Sequence, residues 1–121
     1  MNTKLKIMNS IDLAKRAGYT LIKEDWGDLS AMCVCVMGCV IWAEGMNFTD
    51  HIPDNVIAAS KILNVSTEWI DSFIDGFDGN GTALNAQNSA AWIMGEEVCF
   101  QTEPISSSEF WTQKMGAHHA S

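Results

Sequence analysis

The sequence predicts an all-α fold, a compact single-domain bundle of five to six short helices (residues 1–121) around a buried helix rich in Cys, Met and Val. Apolar residues recur at helical spacing along most of the chain, and the alternation typical of strands is almost absent. A chain of 121 residues is long enough for one hydrophobic core. An apolar content of 47%, with five Trp, is typical of a packed globule rather than a disordered chain.

The first predicted helix lies in a basic amino-terminal segment, residues 1–23. Ser10 is a suitable N-cap for it, and Gly18 a suitable end. Four apolar residues between them fall near one face: Ile11, Leu13, Ala14 and Ala17. The segment contains no apolar stretch of signal-peptide length, which favours a cytoplasmic protein whose cysteines are reduced thiols.

The second predicted helix is the apolar run LSAMCVCVMGCVIWA, residues 29–43. It is shorter than the ~20 residues that a membrane span needs, so it predicts a buried core helix and no membrane anchor. Cys33, Cys35 and Cys39 occur among valines as they would in a strand. The length of the run and its Ala, Met and Gly content nevertheless favour a helix.

The third and fourth helices carry the clearest local signals. Pro53 suits the first turn of the third helix, and Asn64, just after Leu63, can take the left-handed conformation that closes it. Ser66 is a good N-cap for the fourth helix. Five apolar residues then form one continuous stripe on a 3.6-residue period and are predicted to be core: Trp69, Ile70, Phe73, Ile74 and Phe77.

A fifth helix is predicted over residues 83–100, ALNAQNSAAWIMGEEVCF, after the glycine-rich segment GFDGNGT. A short sixth helix is predicted at residues 106–116. Ser106 and Glu109 have the spacing of a capping box there, and Gly116 offers a stop. Residues 117–121 are expected to be a frayed tail.

Charge is distributed unevenly. Residues 1–23 hold five basic residues and one acidic residue, a net charge of +4, whereas residues 24–121 hold fourteen carboxylates and two Lys, a net charge of −12. Lys61 is the only basic residue between Glu24 and Gln113. Such a chain presents a negative field that disfavours nucleic acid, anionic lipid and phosphorylated substrates.

Residues 58–79 have the residue pattern of a helix-turn-helix, but the helix that would contact DNA has no basic residue. A recognition helix needs donors for phosphates and base edges. Its polar side carries four carboxylates instead: Glu68, Asp71, Asp75 and Asp78. These residues predict a solvated acidic face and no direct contact with nucleic acid.

No catalytic residue, metal or cofactor is predicted. The acidic, glycine-rich segment around Asp78 does not match the twelve-residue calcium loop in either register, which leaves only a weak noncanonical site open. The four cysteines lack zinc-ligand spacing and are expected to be buried, inert thiols. His51 has no nucleophile motif beside it, and Glu96 and Glu97 diverge on a helix. An enzyme is unsupported.

Three segments carry a resemblance: CVCVMGCVIWAEG, AASKILNVSTEWIDSFIDGFDG and NSAAWIMGEEV. Together they resemble small uncharacterised proteins of bacteria and their phages. The shared features are a Cys-rich helix with a Leu-Gly-Ala-like core at Met37 and Gly38, a helix pair ending in Gly-Phe-Asp-Gly at residues 76–79, and a Tyr-x-Leu-Gly-like step at residues 92–95. The resemblance implies no activity. It implies close approach of two central helices at Gly38 and Gly95.

The sequence therefore predicts a non-enzymatic acidic interaction protein that binds a basic protein surface. The predicted binding residues are Glu68, Asp71, Asp75 and Asp78, joined by Asp50 and Asp54. A phage-type inhibitor of a host nucleic-acid or defence enzyme fits this description.

Two alternatives stay open. One is a small-molecule-binding helical domain with a pocket walled by Trp26, Trp42, Trp92 and Trp111. The other is a self-assembling structural protein, in which the +4 amino-terminal segment docks on the −12 remainder of another copy. The oligomeric state is not predicted.

Overall fold

The computed structural model describes the backbone of residues 2–120 and the side chains of residues 2–115. Within that range the chain forms six α-helices and four short strands. The helices are α1 (Thr3–Arg16), α2 (Val36–Ala43), α3 (Ile52–Leu63), α4 (Thr67–Asp78), α5 (Ser89–Thr102) and α6 (Ser107–Ala120). The strands are β1 (Thr20–Lys23), β2 (Gly27–Asp28), β3 (Cys33–Val34) and β4 (Ile105–Ser106).

The strands form one small mixed sheet in the order β2-β3-β1-β4. The strand β1 pairs in parallel with β3, Leu21 opposite Val34, and with β4, Ile22 opposite Ile105. The strand β2 runs antiparallel to β3. The protein is therefore mostly helical, as predicted, but not strictly all-α. Strands of two to four residues are too short to show the alternation from which a strand is predicted.

The apolar run of residues 29–43 is a one-turn 3-10 helix (Leu29–Ala31), then a strand, then an α-helix, so the prediction of one continuous helix is wrong. Cys33 and Val34 form β3, and Cys35 caps α2 by accepting a hydrogen bond from the Gly38 amide at 3.3 Å. Every residue from Cys33 to Ile41 is buried, so α2 is a buried core helix as predicted, but of the three cysteines of the run only Cys39 lies in it. None of the helices in the described residues has the length and apolar content to cross a membrane.

The helix α1 begins earlier than predicted. Asn2 is its N-cap and accepts from the Leu5 amide at 3.2 Å, whereas Ser10 lies inside the helix. The Ser10 hydroxyl donates to the Lys6 carbonyl at 3.0 Å, which lets this polar residue be buried beside Ile11. Gly18 follows the helix with a φ of +97°, as its predicted role at the end requires.

The helices α3 and α4 form as predicted. Pro53 lies in the first turn of α3, and Asn64 closes that helix with a φ of 56°. Ser66 caps α4 by accepting from the Trp69 amide at 3.0 Å, and Gly79 ends it with a φ of 78°. Of the predicted apolar stripe, three residues are fully buried and two are partly buried; the buried ones are Ile70, Phe73 and Phe77.

The last two helices differ from prediction at their ends. The helix α5 begins at Ser89 after its N-cap Asn88, later than predicted, because residues 82–88 form turns. Ser106 caps α6 by accepting from the Glu109 amide at 3.1 Å, as its spacing indicated. The helix continues past Gly116 to Ala120. The predicted fraying of residues 117–121 concerns a segment that lies outside the described side chains.

The closest helix contact joins α4 and α5. A Cβ at Gly76 would overlap the Trp92 carbonyl oxygen, and a Cβ at Gly95 would overlap that of Phe73. The two glycines therefore let the backbones of α4 and α5 touch. Gly95 therefore lies at a close helix approach, as expected, but the partner helix is α4 and not the helix of Gly38. Gly38 instead makes room for side chains, since a Cβ there would lie 3.1 Å from the Phe48 ring.

Candidate functional site

The main candidate site is a cleft of about 210 Å³ between the β1–β2 turn and the carboxyl end of α4. Its walls are apolar and include one Trp, and three carboxylates line it. The lining residues are Glu24, Asp25, Trp26, Cys35, Val36, Ile52, Ile74, Phe77 and Asp78. We call it the Trp26 cleft.

The turn that builds this cleft is held by α4. Glu24 has a φ of 76°, a backbone conformation that residues other than glycine rarely adopt. Its amide donates to the Asp78 carboxylate Oδ1 at 3.0 Å. The next two residues are also fixed, because the Trp26 amide donates to Asp25 at 2.7 Å and the Trp26 carbonyl accepts from the Cys35 amide at 2.9 Å. Asp78 therefore has a structural role in addition to its charge.

A second, shallower cleft of about 370 Å³ lies between α3 and α4. It is lined by Ile52, Pro53, Val56, Ile57, Thr67 and Asp71. We call it the α3–α4 cleft. Ile52 lines both clefts, and 54% of its surface is exposed. The two clefts are therefore neighbours that share one exposed apolar residue, and a carboxylate of α4 lines each of them; together we call them the groove along α4.

Negative charge on α4 is not neutralised. Within residues 2–115 none of its four carboxylates makes a salt bridge. The pKa of Asp71 is raised by partial burial and by the charges of Asp75 and Glu68. The pKa of Asp78 is raised mainly by burial and, more weakly, by Glu24 and Asp75, although the Glu24 amide and Lys23 oppose the shift. A bound cation would relieve this repulsion.

The six predicted partner-binding residues occupy different surroundings. Asp71 lines the α3–α4 cleft and Asp78 the Trp26 cleft, while Glu68 and Asp75 are exposed on α4. Asp50 is exposed just before α3. Asp54, in the first turn of α3, lies 2.9 Å from His51 and is paired when that histidine is protonated. Asp71 and Asp78 are therefore the two carboxylates of α4 that border the groove.

Two site residues escaped sequence reasoning, Glu24 and Asp25. Both lie in the polar segment KEDWGD, where one Trp stands among four charged residues. That isolated aromatic residue in a turn was the signal that could have indicated a surface site.

The four tryptophans proposed as pocket walls lie in separate environments. Trp26 packs against Phe48 and Trp42 against Tyr19, with ring centroids 6.2 and 5.2 Å apart. The Trp92 indole donates to the Asn80 carbonyl at 2.9 Å, and Trp111 contacts Phe110. Of the five clefts described, one is lined by a Trp, and that residue is Trp26.

The four cysteines are free thiols, three of them buried. Burial raises the pKa of Cys35 to about 12 and also raises the pKa of Cys33, Cys39 and Cys99. Thiols with raised pKa values are poor nucleophiles and poor metal ligands at neutral pH. In the part of the chain that the structure describes, no three His, Cys, Asp or Glu residues converge as a metal site would require.

The basic amino-terminal segment is largely bound within its own chain. Lys4 contacts Glu97 at 3.1 Å, and Lys6 contacts Glu44 at 3.7 Å. Lys15 donates to the Thr102 carbonyl at 2.9 Å, and Arg16 pairs with Asp12 at 3.1 Å. These contacts leave less positive charge for docking on another copy than the net charge of the segment implies.

Comparison with protein-family models, with curated proteins and with solved structures gave no match. The resemblance to bacterial and phage proteins stays a prediction. The site is interpreted from its own geometry.

Proposed function

We propose that this protein is a non-enzymatic acidic interaction protein that binds a basic surface of a macromolecular partner through the groove along α4. The observation that carries the proposal is the position of Asp71 and Asp78. Each lines one of two neighbouring apolar clefts, and neither is in a salt bridge with any described side chain.

Apolar surface and charge support different aspects of binding. Exposed Ile52 and Ile57, 54% and 44% accessible, offer area to bury against a partner. The carboxylates beside them favour a partner with Lys or Arg and repel acidic surfaces, so they supply specificity and a faster encounter. A basic protein that normally holds nucleic acid combines both features. An inhibitor of a nucleic-acid or defence enzyme is therefore the function we propose, and its support is the charge and the apolar surface of the groove.

The experiment is affinity capture from the native host's lysate at low and at high salt, with bound proteins identified by mass spectrometry. The bait variant carries Glu68→Gln, Asp71→Asn, Asp75→Asn and Asp78→Asn, which preserves side-chain size and the acceptor for the Glu24 amide. A control variant removes four negative charges elsewhere: Asp12→Asn, Glu96→Gln, Glu103→Gln and Glu109→Gln. Both variants have the same net charge.

We expect a partner that the parent and the control variant capture at low salt, that high salt releases, and that the α4 variant loses. Surface charges at an interface are screened within ~10 Å at 0.1 M salt, which explains the expected salt sensitivity. Equal loss in both variants would show that only net charge matters. Equal capture by all three baits would show that the acidic face is merely solvated. Either result would refute binding through α4.

A further inference from the structure

The Trp26 cleft is small for a metabolite. Its volume is about 210 Å³, whereas pockets that take drug-sized molecules hold ~300–1,000 Å³. A space of this size suits one long side chain that enters from a partner's surface. Ile52 lines both this cleft and the α3–α4 cleft, so a partner that covers the α3–α4 cleft would reach the Trp26 cleft beside it.

The lining of the cleft selects for a cation with an apolar stem. Ile52, Ile74 and Phe77 provide apolar contact, and the Trp26 indole provides an aromatic wall. Guanidinium groups stack on indole rings and pair with carboxylates through two parallel hydrogen bonds, and they are less strongly hydrated than ammonium groups. Such a lining therefore favours arginine over lysine.

Acceptors in the cleft are available. The Glu24 amide occupies Oδ1 of Asp78, but Oδ2 accepts no hydrogen bond from any described residue. The carboxylate of Glu24 is likewise without a donor in residues 2–115, and it makes no salt bridge there. Asp25 is less free, since Ser107 donates to its Oδ2 at 3.4 Å. Lys23, the basic neighbour, lowers the pKa of Asp78 without forming a salt bridge.

The Trp26 wall is also fixed in advance. Hydrogen bonds hold its amide and its carbonyl, and its ring packs against Phe48. A pocket that is already ordered loses little conformational entropy when it is filled.

We propose that the Trp26 cleft is an anchor pocket for one arginine side chain of the basic partner, whose guanidinium stacks on Trp26 and pairs with Glu24 and Asp78. This inference rests on the proposed function, because the partner supplies the arginine.

The test uses the full chain labelled with 5-fluorotryptophan and followed by ¹⁹F NMR, which gives one resonance for each of the five Trp. Trp26→Phe assigns the resonance of interest, and Phe48→Leu, which perturbs the ring beside it, assigns it independently if Trp26→Phe does not fold. The probes are N-acetyl-arginine amide, the corresponding lysine amide, and the citrulline amide, a neutral isostere of the arginine probe.

We expect the arginine amide to shift the Trp26 resonance with a Kd of about 1 mM, a plausible value for one side chain. The citrulline and lysine amides should bind at least tenfold more weakly. Glu24→Gln together with Asp78→Asn, which keeps the acceptor for the Glu24 amide, should weaken arginine binding about tenfold, whereas Glu96→Gln together with Glu103→Gln should leave it unchanged. An unmoved Trp26 resonance, or equal binding of citrulline or lysine, would overturn the proposal.

The two proposals fail separately. If capture depends on α4 but the Trp26 resonance does not respond to arginine, the interface stands and the anchor pocket is refuted. If arginine shifts the Trp26 resonance as expected but the charge variants capture the same proteins, the cleft binds arginine, but binding of a partner through α4, and with it the anchor role of the cleft, is refuted.

Discussion

The two sides of α4 differ in what they contact: one packs closely against α5, and the other carries unpaired negative charge. Toward α5, Gly76 and Gly95 bring the two backbones into contact, and Phe73 and Phe77 are fully buried. Away from α5, the same helix carries four carboxylates without a salt bridge in the described residues, and two of them, Asp71 and Asp78, border the groove. Packing accounts for every residue of the first side. On the second side, repulsion among the carboxylates is offset within the described residues only by the hydrogen bond from the Glu24 amide to Asp78, which is why we interpret the rest of its charge as functional.

We expect the largest loss of stability from a substitution on the packed side of α4. In Gly95→Ala the new Cβ would overlap the Phe73 carbonyl and lie 2.9 Å from the Phe77 amide nitrogen, and backbone atoms cannot rotate away. We expect a loss of about 3 kcal/mol in the free energy of unfolding, measured by urea denaturation.

Gly45→Ala is the matched control for that substitution. Gly45 has a φ of +78° and no atom within 4 Å of an added Cβ, so it should lose only the ~1 kcal/mol cost of a left-handed alanine. If the two variants were equally stable, the close contact of α4 and α5 would be refuted.

An intermediate loss of stability is expected from a substitution at Asn55, which holds the segment that leads into the groove. Asn55 is buried, accepts from the Thr49 amide at 2.8 Å and donates to the Thr49 carbonyl at 2.7 Å, so it fixes the segment that leads to Ile52. Asn55→Ala should destabilise the protein by about 2 kcal/mol, because two hydrogen bonds are lost. Thermal unfolding followed by circular dichroism measures this loss of stability. Asn47→Ala, an exposed site in the same segment, should change stability by less than ~0.5 kcal/mol.

A substitution on the acidic side of α4 should have a small effect of the opposite sign, a gain in stability. Asp71→Asn removes like-charge contacts with Glu68 and Asp75, and it should stabilise the protein at pH 7 by about 0.5 kcal/mol in urea titrations. Asp12→Asn is the control. Asp12 pairs with Arg16 at 3.1 Å, so its neutralisation should be slightly destabilising. Stabilisation by both variants, or by neither, would contradict the view that Asp12 on α1 is paired while Asp71 on α4 is repelled by its neighbours.

The stability gained by Asp71→Asn is expected to depend on pH. Since the folded-state pKa of Asp71 is raised above its ordinary 3.8, the folded protein holds this proton more tightly than the unfolded chain. The resulting stabilisation is complete below pH 3.8 and is lost as the pH rises through the raised pKa. The difference between parent and Asp71→Asn should therefore be absent at the acid end and grow above pH 3.8. A constant difference across pH would refute the repulsion as its cause.

Signals that act within a few residues were enough to predict much of the fold. Ser66, Asn64 and the stripe at Ile70 and Phe73 each depend on backbone geometry within one or two turns. The sheet could not be predicted in this way, because its two-residue strands pair with partners far along the chain. Cys35 shows a related difficulty, since a thiol acting as an N-cap ends the strand and begins the helix inside one apolar run.

The candidate site was predictable only in part. The acidic face of α4 follows from helical periodicity, which placed Asp71 and Asp78 on the polar side. The Trp26 cleft did not follow, because the turn that forms it is fixed by Asp78, 54 residues beyond Glu24. A hydrogen bond between segments so far apart leaves no local pattern in the sequence.

The pairing of Ile22 with Ile105 has a consequence for folding order. It closes a loop that contains α2 to α5, and the entropic cost of such a closure grows with loop length. Contacts between neighbours in the chain, such as α4 with α5, form sooner than contacts of high sequence separation. During synthesis β4 also leaves the ribosome after α1 to α5. The helices that carry the acidic groove are thus expected to assemble first, and docking of β4 beside β1 to complete the native structure.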